Sequence, residues 1–138
     1  GSVTIDQADA DLIAARVNAS RGEFYPNEQQ VWVLKRTSSG IGVKNDHQIA
    51  KGEGETLKVW IDFASLTGRN ELVQEIVSLD LADGSAAIVS DSEGILGNLV
   101  YFEVEGGSAG DTITVEFEVT TTENQTITAS VCQIVVSE

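Results

Sequence analysis

Residues 112–131 read TITVEFEVTTTENQTITASV and decide the fold class. Within residues 113–119, apolar side chains alternate with threonine or glutamate, and a polar turn follows at residues 123–124. The return segment alternates in the same way, which is typical of a strand with one buried face. We therefore predict a β-hairpin. The alternation is lost beyond Cys132, which predicts a β-bulge near Gln133.

The same period of two continues upstream of the hairpin. Further strand candidates lie at residues 31–35, 41–49, 57–63, 72–81, 86–90 and 100–105, and alternation is clearest at 57–63 and 100–105. Short strands separated by Gly-rich or Asp-Gly turns predict an all-β fold, specifically an antiparallel Ig-like β-sandwich of seven to nine strands. Strands do not alternate with helices, so we expect no parallel pairs. The candidate core aromatic residues are Trp60, Phe63, Phe102 and Phe117. Trp60 and Phe63 have opposite parity, so one of the two must face away from the core.

Residues 1–30 differ in pattern from the rest of the chain. Their apolar positions fit a helical period loosely, and Pro26 ends the segment. We predict an N-terminal extension over residues 1–30, either a short helix or an extended arm, followed by the sandwich at residues 31–138. The first two residues, Gly1 and Ser2, are interpreted as an expression scar.

Charge is divided unevenly along the chain. The 138 residues carry a formal net charge of −14. Residues 1–69 hold all eight basic residues and nine acidic ones, for a net charge of −1, whereas residues 70–138 hold thirteen acidic residues and no basic one. Such an acidic chain is not expected to bind nucleic acid or an anionic membrane. No apolar run approaches the roughly 20 residues of a membrane-spanning helix.

The residue inventory argues against an enzyme. The chain has one histidine, His47, in a polar stretch, and one cysteine, Cys132, within an alternating strand. A nucleophile needs a neighbouring base, and no motif supplies one. We expect no catalytic residues and no cofactor, with His47 in an exposed loop and Cys132 as a small buried side chain.

Calcium is the one cation that the loops could suit. Carboxylates stand in Gly-containing turns at Asp80, Asp83, Asp91 and Glu93, and Ca²⁺ prefers such oxygen ligands. The spacing does not match a twelve-residue calcium loop, and Asp-Gly is also ordinary β-turn chemistry. Both interpretations stay open from the sequence.

Residues 100–115, VYFEVEGGSAGDTITV, are more specific than a general strand pair. A strand, a Gly-Gly-x-Ala-Gly turn and a strand ending in Thr-Thr resemble a small Ig-like module of tailed-bacteriophage structural proteins. Residues 57–66, LKVWIDFASL, are similar to the opening strand of that module. The resemblance covers roughly residues 55–136. The closing turn, residues 123–125, departs from it by carrying Glu-Asn-Gln where Gly-Arg is expected.

The resemblance implies a non-enzymatic virion component, most simply a capsid decoration or cement protein on the outer shell, or a tail-associated protein. The second interpretation is a bacterial cell-surface or secreted Ig-like adhesion module, which would share the same sequence features.

The charge division suggests which surface binds. Interfaces are enriched in aromatic residues and arginine. We therefore expect docking on a protein shell or tail through residues of about 3–45, with the acidic hairpin 111–131 outward. The candidate contact residues are Phe24, Tyr25, Trp32, Lys35 and Arg36. A small homo-oligomer is also expected, because the apolar residues of the extension must cover the sandwich or another copy.

Overall fold

The computed structural model describes residues 25–138. Ten strands make up most of this part of the chain, and it contains no α-helix. The strands are β1 (Val31–Thr37), β2 (Gly40–Val43), β3 (Gln48–Gly52), β4 (Leu57–Asp62), β5 (Val73–Ala82), β6 (Ala86–Ile88), β7 (Gly94–Leu96), β8 (Leu99–Gly106), β9 (Thr112–Thr121) and β10 (Thr126–Ser137). Two single-turn 3-10 helices lie at Glu28–Gln30 and Lys44–Asp46. No helix in residues 25–138 combines the length and apolarity needed to cross a membrane.

The strands form two sheets. One is six-stranded in the order β2-β1-β4-β8-β6, with β7 also pairing to β8, and the other is four-stranded in the order β3-β10-β9-β5. The all-β prediction is confirmed, but the antiparallel Ig-like topology is not. Two strand pairs are parallel, β1 with β4 and β3 with β10. Parallel neighbours need a long crossover, and here intervening strands provide it instead of the helices whose absence suggested a purely antiparallel sheet.

The core lies between the two sheets. Fully buried aromatic residues fill it, with Trp32 stacked on Phe102 at 6.5 Å between ring centroids and Phe63 edge-on to Phe117 at 5.4 Å. Trp60 belongs to the opposite face of β4, in a small separate cluster with Val31 and Leu99. The expected division between Trp60 and Phe63 is thus confirmed.

The C-terminal hairpin is present as predicted. Its two strands pair in regular antiparallel register up to Ala129, and the register shifts between Ala129 and Cys132. The bulge predicted near Gln133 is therefore present slightly earlier in the chain. The turn contains Asn124 at φ 64°, a left-handed conformation that asparagine tolerates well.

The weak strand predicted over residues 41–49 was wrong as a single element. Strand β2 ends at Val43, a 3-10 turn follows, and β3 begins at Gln48 in the other sheet. The alternation of buried Ile49 and Lys51 belongs to β3. The turn at Lys44–Asp46, in which Asn45 and Asp46 have positive φ, separates the two strands.

The predicted helix or arm falls mostly on residues 1–24, which lie outside the described residues. The chain immediately before β1 packs along the six-stranded sheet. The Tyr25 hydroxyl donates to Oδ2 of Asp62, and Nε2 of Gln30 donates to the carbonyl of Lys58 at 2.8 Å.

The sandwich has two opposite flanks. At one, β2 lies beside β10 and β1 beside β3; at the other, β5 lies beside β6 and β7. Strand order in both sheets therefore separates the basic β1–β2 region from β5 by the width of the molecule.

Candidate functional site

The basic flank is defined here by Lys35, Arg36 and Lys44, which are exposed where β1 and β2 meet the 3-10 turn. Lys35 pairs with Gly42 and Arg36 with Ile41 across the hairpin. Strand β2 carries no charged residue, and Asp46 is the one acid within residues 31–48, so the three cations keep the flank net positive.

The aromatic residues predicted to contact a partner beside this flank differ in their exposure to solvent. Tyr25 is 37% exposed, whereas Phe24 lies outside the described residues. Trp32 corrects the sequence-based expectation: it is 0% exposed, sits between the sheets, and its Nε1 donates to the carbonyl of Gln133 at 3.3 Å. A buried indole with its N–H satisfied belongs to the core, so Trp32 offers no surface for a partner.

The acidic face is defined here by Glu75, Asp80, Glu116 and Glu118, on the outer side of β5 and β9. Asp80 pairs directly with Glu116 across the two strands, and Ser78 pairs with Glu118. Like charges directly opposite each other in a sheet are destabilising. Residues 70–138 contain no lysine or arginine that could offset them, so the face keeps a concentrated negative charge.

Strand β5 forms one edge of the four-stranded sheet. Its pairing to β9 shifts register between Val73 and Glu75 and again between Ile76 and Ser78. The second shift leaves Val77 without a paired residue and 49% exposed. Val77 has the same parity in sequence as the buried Val73, but the register shift turns it to the surface.

A buried carboxylate holds the start of β5. Glu71 is almost fully buried and accepts hydrogen bonds from the Gly68 N–H at 2.6 Å, from Nε2 of Gln125 at 2.7 Å and from the Thr121 hydroxyl. Burial by itself raises the pKa of Glu71, but these three hydrogen bonds together lower that pKa below its usual value. The carboxylate therefore joins the loop before β5 to the β9–β10 turn.

A buried lysine occupies the opposite edge of the same sheet. Lys51, in β3, is 1% exposed, and its Nζ donates to the carbonyls of Gly52 at 2.9 Å and Gly106 at 2.7 Å. Gly106 has φ 80° and Gly107 has φ 96°, left-handed conformations that glycine adopts without strain. Lys51 therefore links β3 to the glycine turn after β8. The sequence analysis did not identify Lys51, and its spacing of two residues from Ile49 is the local signal of its inward direction.

The remaining candidate residues from the sequence analysis are the four calcium candidates, His47 and Cys132, and the structure does not bring them together in one site. Within residues 25–138, no three His, Cys, Asp or Glu side chains come close enough to hold a metal ion, and the calcium candidates Asp80, Asp83, Asp91 and Glu93 are all in that part. His47 is half-buried, and its Nε2 has no hydrogen-bond partner among the described residues. Cys132 is buried in the core, which raises the pKa of its thiol far above the usual range.

The described part of the chain is thus a two-sheet sandwich with a basic flank and an acidic face on opposite sides. Comparison with protein families gives the particular family. The model described as "Podophage GP4 fiber-tail adaptor protein gp77" matches residues 51–133, 83 of the 138 residues. The chain belongs to this family. No curated protein and no solved structure matches the chain.

The family assignment sharpens and corrects the sequence-based interpretation. A structural protein of the phage virion is confirmed, and the matched residues nearly coincide with the 55–136 stretch that carried the resemblance. The capsid decoration or cement role was wrong, because the family is tail-associated. The family is a component of the virion tail, and this assignment replaces the second interpretation, a bacterial surface module. A family of structural adaptors implies a non-enzymatic role.

Proposed function

We propose that this chain connects a tail fiber to the tail of a podophage by binding both proteins at once. The observation that carries the proposal is the separation of charge across the sandwich. The basic flank is formed by β1 and β2, and the acidic face is formed by β5 and β9 at the other side. Two surfaces of opposite charge on one rigid body suit two different partners.

The basic flank is proposed to contact the tail, through Lys35 and Arg36 with Tyr25 beside them. Phe24 remains part of this proposal as the residue next to Tyr25. The acidic face is then left for the fiber. Tyrosine and arginine are residue types that anchor interfaces. In this proposal, residues 1–30 act as an arm and residues 31–138 as the sandwich that carries both surfaces.

The test uses the full-length chain and the purified tail and fiber proteins of the same phage. Wild-type chain on a surface should capture each protein alone and both together. The double variant Lys35→Glu with Arg36→Glu should lose at least tenfold in tail affinity and keep its fiber affinity. Arg69→Glu, which replaces an exposed arginine in the loop between β4 and β5, is a single-site control with half the change in charge and should change neither affinity more than threefold.

Three results would contradict the proposal: no capture of either protein by the wild type, capture of one partner only, or equal losses in the double variant and the control. A separate measurement, light scattering, tests the oligomeric state. The expected small homo-oligomer should appear in light scattering at high salt, where repulsion between copies of charge −14 is screened. A monomer at high concentration and high salt would contradict that expectation.

A further inference from the structure

Strand β5 is the longest edge strand in the described structure. The other edge strands are shorter: β2 has four residues, β3 five, and β6 and β7 three each, whereas β5 has ten. Proteins protect edges by short strands, by bulges, by charged side chains, lysine above all, by proline and by inward-pointing charges. Strand β3 has the inward charge of Lys51. Strand β5 contains no lysine, arginine or proline, its bulges are confined to its first half, and no strand of the described structure pairs with its outer edge.

The bulges leave part of this edge regular. Both register shifts lie before Ser78, and residues 78–82 pair with β9 without interruption. Five residues of strand span about 17 Å, the length of an average strand. Immediately before this segment, the apolar side chain of Val77 is exposed. The regular segment can thus accept hydrogen bonds from, and donate them to, an added strand, and Val77 supplies an apolar contact at its end.

The charge beside this edge selects the kind of strand. Asp80 lies within the regular segment and directly opposite Glu116, with Glu118 on the same outer face. A strand added next to β5 would place its own outward side chains alongside Asp80. Lysine or arginine there would offset the repulsion between Asp80 and Glu116, and acidic side chains would increase it.

From these observations we propose that β5 binds an extended, lysine- or arginine-bearing segment of the fiber protein, which adds to the four-stranded sheet as a fifth strand. Peptide addition to a sheet edge combines backbone hydrogen bonds for affinity with alternate side chains for specificity. The proposal rests on the proposed function, because that function leaves this side of the sandwich to the fiber. It narrows the acidic face to residues 78–82 and the adjacent Val77.

The first test changes Asp80 to lysine in the full-length chain. Lysine on an edge strand obstructs pairing and reverses the selecting charge, so fiber affinity should fall at least tenfold while tail affinity stays within threefold. Thermal unfolding should not occur at a lower temperature, because Asp80→Lys removes the repulsion with Glu116. Glu105→Lys is the control with the same charge change: Glu105 is exposed in β8 and pairs with Ala87. Its fiber affinity should change less than threefold.

The second test places a photo-cross-linking amino acid at Val77 or, as a control, at Ala50. Val77 is 49% exposed, and Ala50 is also exposed but lies in β3, at the opposite edge of the same sheet. Irradiation of the complex should link position 77 to a lysine- or arginine-bearing fiber segment and should link position 50 to no fiber segment.

The outcomes separate the two proposals. Wild-type chain that does not bind the fiber would overturn both the connector function and the strand addition. Wild-type binding to tail and fiber, with Asp80→Lys binding the fiber equally well, would overturn the strand addition alone. Cross-links from both positions, or from position 77 only to the tail, would also overturn it.

Discussion

The two edge strands of the four-stranded sheet differ in whether their charged side chain is buried or exposed. In β3 the ammonium of Lys51 is buried and donates to two carbonyls. In β5 the carboxylate of Asp80 is exposed and lies opposite another carboxylate, Glu116. A buried charge with satisfied hydrogen bonds ties an edge to its own protein, whereas exposed charges of one sign leave an edge suited to a partner of the other sign. The same sheet therefore has one structural edge and one edge suited to binding.

The largest expected effect is a loss of folding stability when the buried charge of β3, the structural edge, is removed. Replacing Lys51 with Met leaves the carbonyls of Gly52 and Gly106 without their donor, and unfolding in urea should show a loss of about 3 kcal/mol. Lys58→Met is the matched control. Lys58 is exposed, with its Nζ 5.0 Å from the Trp60 ring centre and 4.4 Å from that of Tyr101. Its loss should be below about 1 kcal/mol. Equal losses in the two variants would contradict a structural role for Lys51.

A second prediction concerns the anchored start of β5. Glu71→Gln removes the charge that accepts three hydrogen bonds and should cost about 2 kcal/mol at pH 7. Because the folded-state pKa of Glu71 is lowered from its ordinary value of 4.5, its contribution is complete above that value and is lost as the pH falls through the lower folded-state pKa. The stability difference between wild type and variant should therefore shrink in acid.

The control for this pH dependence is internal. The N–H groups of Ser108 and Ser85 lower the pKa of Asp111, which makes wild-type stability fall in acid in the same direction, but Asp111 is unchanged in the Glu71→Gln chain. Chemical unfolding from pH 7 to pH 3 measures both proteins. A difference that stays constant over this range would show that ionisation of Glu71 does not stabilise the fold.

The smallest expected effect is a gain in folding stability when the charge of Asp80 in β5, the edge suited to binding, is removed. Asp80→Asn removes the repulsion with Glu116 and should raise stability by about 0.5 kcal/mol at low salt, with the gain shrinking as salt screens the charges. Glu105→Gln also removes one negative charge, but its cross-strand partner is Ala87, so it reports the effect of net charge alone. An equal gain in the two variants would mean that the Asp80–Glu116 pair has no specific cost.

The sequence was most informative where pattern and environment agree. Alternation at residues 112–131 predicted the β9–β10 hairpin, its turn and a bulge, because a strand with one buried face imposes a period of two. The Gly-Gly-x-Ala-Gly segment was identified as a turn, and Gly106 and Gly107 have the positive φ that such a turn requires. The opposite facing of Trp60 and Phe63 followed from parity alone.

The expectations that were wrong concern residues whose contacts in the fold are distant in sequence. Trp32 reads as a surface aromatic because its local segment shows no preferred face, and only contact with Phe102 and Gln133 makes it a core residue. The direction of Val77 depends on a register shift against β9, which no local pattern reveals. The parallel pairing of β3 with β10 joins segments about 85 residues apart, such as Gln48 with Gln133.

The amino-acid sequence by itself determined the all-β class, the charge separation and, through its resemblance, a phage virion protein, because periodicity, charge and motif are local properties of the chain. The tertiary structure decided which charges are buried and which are exposed. Lys51 and Asp80 are both charged residues in edge strands, and the sequence does not show which groups each of them meets in the fold. Lys51 became structural because folding carried Gly106 to it, and Asp80 remained on the surface because folding set Glu116 beside it. Burial and cross-strand pairing are properties of the assembled sheets, so only the fold separates the structural edge from the edge suited to binding.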